Sequence, residues 1–140
     1  MIISRFSRCS ALLFLISSLA LGCGGEDAPV LSDPLEEGAW GHFEFELLPL
    51  GEPGEGVNSF HLKLRDLSTA EPIAGAHLSV SALMPAMGHE APEGMRQREM
   101  NSGVYLIENL VFTMPGLWEV RFRAERDALV DEAAFRFSLH

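Results

Sequence analysis

Trp118-Glu119-Val120-Arg121-Phe122-Arg123 alternates a large apolar side chain with a charged one at every step. A period of two places Trp118, Val120 and Phe122 on one face and Glu119, Arg121 and Arg123 on the other, the pattern of a strand with one side in a core and one in water. A helix would spread those apolar residues around its axis.

The same period recurs outward in both directions. Trp40–Leu50 sets Phe43, Phe45 and Leu47 against His42, Glu44 and Glu46, and after Gly51-Glu52-Pro53-Gly54-Glu55-Gly56, Val57–Asp66 sets Phe60, Leu62 and Leu64 against Ser59, His61, Lys63 and Arg65. Turn chemistry at Glu71-Pro72-Ile73-Ala74-Gly75 leads into Ala76–Met84, where Ala76, Leu78, Val80 and Ala82 oppose His77, Ser79 and Ser81. Gly103–Phe112 and Leu129–Leu139, with Phe135-Arg136-Phe137-Ser138-Leu139, complete the series. Short strands at this spacing predict an all-β fold, a single antiparallel β-sandwich of about seven strands. Pro85–Ser102 shows no period and is expected to be a long irregular loop.

The N-terminus has a different character. Arg5 and Arg8 precede an apolar run from Ala11 to Leu21, too short for a stable membrane helix, so residues 1–22 are expected to be a signal peptide. Leu19-Ala20-Leu21-Gly22-Cys23 resembles a bacterial lipobox, which makes Cys23 the lipidation site and the new N-terminus. Gly24 after that cysteine, by resemblance to Gram-negative lipoproteins, places the protein in the bacterial cell envelope, lipid-anchored at the outer membrane and facing the periplasm. Residues 23–38 are rich in Gly, Pro and acid and read as a lipidated flexible tether, which leaves 39–140 as the folded domain.

Charge limits the partners. The chain carries −10 in all, and removing residues 1–22 takes away two basic residues and no acidic one, leaving −12. Nucleic acid requires a basic face and is excluded as a partner. Anionic lipid would repel the domain, so the membrane contact is expected through the covalent anchor.

The chemistry-bearing stretch is Met84-Pro85-Ala86-Met87-Gly88-His89, echoed by Met114-Pro115-Gly116-Leu117-Trp118. Thioethers and imidazole suit monovalent copper, and thioethers need no deprotonation and form no disulfides. Pro85 favours departure from the strand into a turn, and Gly88 permits a left-handed backbone that would swing His89 towards the sulfurs. Met84, Met87, His89 and Met114 are therefore the candidate copper(I) ligands. The competing reading is that these methionines close one end of a small core, a role their adaptable side chains suit. Met95 and Met100 are weaker candidates, and His42, His61 and His77 fall on polar strand faces. No nucleophile motif, phosphate loop or HExxH signature occurs, so no enzymatic activity is expected.

Taken together, Pro72-x-x-Gly75-Ala76, MPAMGH at 84–89, Gly103-Val104-Tyr105 and Phe112-Thr113-Met114-Pro115-Gly116-Leu117-Trp118 resemble the YtkA-like family, which is related to FixH-like proteins. The resemblance covers most of residues 40–140. It implies an immunoglobulin-like sandwich outside a bacterial membrane with a link to copper handling. Two functions follow as expectations: a non-enzymatic lipoprotein binding or transferring copper(I), or a structural or protein-interaction module whose partner is another envelope protein.

Overall fold

The computed structural model describes residues 30–31 and 33–140; the signal peptide and Cys23 lie outside them. Ten strands follow one another without a helix among the described residues: β1 (Val30–Leu31), β2 (Leu35–Glu37), β3 (Phe43–Pro49), β4 (Gly56–Asp66), β5 (His77–Met84), β6 (His89–Glu90), β7 (Arg96–Asn101), β8 (Val104–Phe112), β9 (Gly116–Arg126) and β10 (Leu129–Leu139). They form two five-stranded sheets with antiparallel pairing, β1-β10-β9-β5-β6 and β2-β3-β4-β8-β7. The all-β sandwich expected from the alternation is therefore the fold. Seven strands have six or more residues, and the three short ones lie at or beside sheet edges.

The core sits between the sheets and is supplied by the alternating residues. Phe43, Phe45 and Leu47 from β3 and Phe60, Leu62 and Leu64 from β4 face Trp118, Val120 and Phe122 from β9 and Phe135 and Phe137 from β10, all nearly or fully buried. Phe60 and Phe137 meet across the gap with ring centroids 5.3 Å apart, and Phe137 meets Phe112 at 5.4 Å. These tilted arrangements suit the ring quadrupoles.

Three expectations need correction. Pro85–Ser102 is not an irregular loop throughout, since it contains β6 and β7. Every residue of β7 is exposed, so that edge strand buries no face and leaves no hydrophobic period to detect. The sandwich also begins before residue 39: β2 pairs with β3 through Leu35↔Glu46, and β1 pairs with β10 through Val30↔Ser138, so part of the expected tether belongs to the sheets. Glu119, although on the outer face, is only 6% exposed because Arg121 and Arg136 clasp its carboxylate at 2.7 and 3.1 Å. The Arg121 hydrogen bond foremost holds its carboxyl below the usual range.

Two polar clamps tie loops to this frame. The buried Asp131 carboxylate accepts hydrogen bonds from the backbone N–H groups of Trp40 (2.8 Å), His42 (2.7 Å), Phe43 (2.9 Å) and Glu132 (2.9 Å), which fixes the entry of β3 against β10. The Tyr105 hydroxyl donates to the Ile73 carbonyl at 3.0 Å and accepts from the Ala76 N–H at 2.9 Å, pinning the crossover between β4 and β5. Burial raises the Tyr105 pKa. Tyr105→Phe removes both bonds but keeps the ring, and a loss of about 1–2 kcal/mol in unfolding free energy is expected; unchanged urea denaturation would show that the pin contributes nothing.

Candidate functional site

The candidate residues converge at one end of the sandwich because β5 turns back on itself there. Met84 N-terminal to the turn and His89 beyond it are directly opposed across the β5–β6 pair. The turn closes with the N–H groups of Met87 and Gly88 both donating to the Met84 carbonyl, at 3.2 and 2.9 Å. Gly88 has φ of +61°, the left-handed conformation that glycine adopts without a Cβ clash. Pro85 leaves the strand and Gly88 brings the chain back.

The four candidates have different surroundings. Met84 is 5% exposed and packs in the core, with its Cε so close to Gly116 that a Cβ built there would lie 2.6 Å away. Its thioether fills space between the hairpin and the start of β9. Met87 is 66% exposed at the hairpin tip. Met114 is partly buried in the turn between β8 and β9, and its carbonyl accepts the Trp118 indole N–H at 3.0 Å. His89 is exposed, and its Nε2 shares a 3.1 Å hydrogen bond with the Thr113 hydroxyl. The His89 ring also stands edge-on to Trp118, with centroids 6.1 Å apart.

The hairpin thus meets the Thr113-Met114 turn directly through the His89–Thr113 hydrogen bond, and through Trp118, which touches His89 and bonds the Met114 carbonyl. Thr113 was not singled out from sequence; it lies beside Met114 in a motif already noticed, but no spacing rule marks a hydroxyl that orients an imidazole in another loop. The Thr113 contact uses Nε2 and leaves Nδ1 without a hydrogen-bond partner among the described residues. A second hydrogen bond of this type is what commonly orients a metal-ligating histidine.

The remaining candidates are dispersed. Met95 is partly buried against the core and Met100 is 44% exposed on the far edge strand. His61 lies between Leu48 and Leu106 in the sheet register, and His77 lies opposite Glu125 in the other sheet. His42 stacks edge-on against its neighbour Phe43. Among the described residues, no three His, Cys, Asp or Glu side chains gather in a group that could hold a metal ion. The candidate thioethers and the His89 imidazole at the hairpin end belong to no such group.

A depression of about 520 Å³ on the outer face of the β5-β9-β10 sheet is floored by Ser79, Ser81 and Ala134. Its arginines are engaged, Arg121 with Glu119 and Arg123 with Glu125 and Glu132 at 2.9 and 2.7 Å. It lies away from the methionine end.

The fold and the hairpin end define the class: an antiparallel β-sandwich with thioethers and an oriented imidazole in the loops at one end. The family model for YtkA-like proteins matches residues 41–123, and the chain belongs to that family. Neither the curated proteins nor the solved structures gave a match.

Proposed function

We propose that this chain is a non-enzymatic lipoprotein of the bacterial envelope whose YtkA-like domain captures copper(I) at the hairpin end. His89 through Nδ1 and the thioethers of Met87 and Met114 are the ligands, with Met84 as the packed floor beneath them. The observation that carries the reading is the placement of His89: its ring is held by Thr113 and Trp118, while His89 and the neighbouring Met87 are both exposed. Such a donor set needs no proton loss from sulfur and no thiol, which suits an oxidising compartment.

Burial of Met84 favours a second reading, in which the methionines only close the sandwich and the domain serves a protein partner. Competition for copper(I) against a colorimetric chelator separates the two. His89→Ala and Met87→Ala are each expected to weaken binding by at least about tenfold, and Thr113→Val by about tenfold through loss of the orienting bond. Met84→Leu keeps the packing volume and should leave affinity within about threefold. No measurable binding by the parent, or equal binding by all four variants, sinks the copper reading and leaves the packed lid.

A further inference from the structure

The end of the sandwich that carries the methionine hairpin is also the end where the chain enters the fold. Val30 is opposite Ser138 in β10, and Ser138 is opposite Leu117 in β9, so the N-terminal side of β1 emerges in the row that begins β9. Among the described residues, four of the eight exposed large apolar side chains lie there, with Leu35, Trp40, Met100 and Leu129 elsewhere. Leu50 follows β3, Val57 begins the outer face of β4, Met87 tips the hairpin and Leu117 opens β9, with exposures of 51%, 69%, 66% and 46%. They rim one end of a molecule whose faces are otherwise laced with ion pairs such as Lys63–Glu46 and Arg123–Glu132.

We infer that this end is a membrane-docking face, with Leu50, Val57, Met87 and Leu117 resting in the interfacial region of the bilayer that holds the Cys23 anchor; the inference rests on the reading of Cys23 as lipidated. Chain length decides the orientation. Only six residues lie between Cys23 and Val30, a reach of at most about 25 Å over the seven chain steps. The strands β9 and β10 have eleven residues each, so the opposite end, with Trp40 and Leu129, stands about 35 Å further away. An inverted molecule would have to suspend Val30 beyond the reach of its own tether, whereas the apolar rim is delivered to the surface directly. Because the anchor already confines the domain, even weak insertion of four side chains holds the orientation.

Electrostatics point to a hydrophobic contact. Glu52 and Glu55 occupy the loop between Leu50 and Val57, so anionic headgroups offer this end no attraction. The copper ligands proposed above would then open towards the membrane surface, where a membrane-embedded donor or acceptor could reach them.

The test uses the full-length protein matured in cells and reconstituted in phosphatidylcholine vesicles, with a fluorophore on Val57→Cys or Leu129→Cys and nitroxide-labelled lipid as quencher. Mass spectrometry of the same samples reports acylation of Cys23. Acylated protein should show several-fold stronger quenching at position 57 than at 129, and Leu50→Ser combined with Leu117→Ser should abolish the difference while acylation persists. Adding phosphatidylglycerol should not strengthen quenching at 57. Acylated protein quenched equally at both positions, or more strongly at 129, overturns the docking face and leaves the lipoprotein reading standing. Quenching at 57 that rises with phosphatidylglycerol overturns the apolar contact. Protein that remains unacylated at Cys23 overturns both.

Discussion

Asp131→Asn is expected to lower the unfolding free energy by about 3 kcal/mol, because an amide replaces a carboxylate that accepts four backbone N–H groups in a site with no solvent exposure. For a domain of this size that corresponds to a melting temperature lower by roughly 10 °C. The amide oxygen can satisfy some of the donors, but its NH₂ group would face Trp40, His42 or Phe43 N–H and repel it. Gly38 belongs to the same clamp: a Cβ there would lie 2.1 Å from the Asp131 carboxyl carbon, so Gly38→Ala must displace the carboxylate or the chain entering β3. The two variants should destabilise less than additively, since each disrupts one shared set of bonds.

The clamp also gives a pH dependence with a defined sign. Burial pushes the Asp131 carboxyl up, but the four N–H donors pull it down further, and the net shift is below the ordinary value of 3.8. A group more acidic when folded contributes its full stability above the unfolded pKa and loses it as pH falls through the folded one. The parent should therefore lose stability below about pH 4, and Asp131→Asn should lose less of its remaining stability over the same range. Parallel stability curves from pH 6 to pH 2 for parent and variant would contradict this account.

Trp118→Ala is the second large effect, about 3–5 kcal/mol. The indole is fully buried, lies 5.2 Å from the Phe112 ring and donates to the Met114 carbonyl. Truncation leaves a cavity beneath the hairpin and frees both Met114 and the edge contact of His89. Trp118→Phe restores much of the volume without the N–H, and the cost should fall to about 1–2 kcal/mol. If denaturation midpoints of the two variants coincide, the hydrogen bond to Met114 carries more than packing does, and the account of the hairpin floor is wrong.

The alternation that reveals β9 also revealed the inner faces of β3, β4, β5 and β10, because each of these strands has one face in the core and one in water. It failed for β1, β2, β6 and β7, which are short or wholly exposed, so pairing rather than burial defines them. Asp131 was legible in principle. It occupies the interior phase of Ala133, Phe135, Phe137 and Leu139, and a carboxylate in that phase requires buried partners. Asn58 carries the same signal in β4 of the other sheet: it shares the interior phase of Phe60 and Leu62, is 8% exposed, and binds the backbone of Gly54 and Gly56 in the adjoining loop.

At the candidate site, the sequence singled out the turn but not the different surroundings of the residues within it. Met84 and Met87 are three residues apart and carry the same group, yet one is in the core and the other in solvent, because the strand ends between them at Pro85. Nothing in the local sequence states that His89 meets Thr113. That contact exists because β5 and β9 are neighbours in the sheet and bring the ends of their adjoining loops together.

The most direct test of copper(I) capture is to follow the methionine methyl and His89 ring signals by NMR while titrating the domain with copper(I). The account predicts that Met87, Met114 and His89 shift together and saturate at one equivalent, with Met95 and Met100 unmoved. Shifts confined to Met95 or Met100, or none at all, would contradict it.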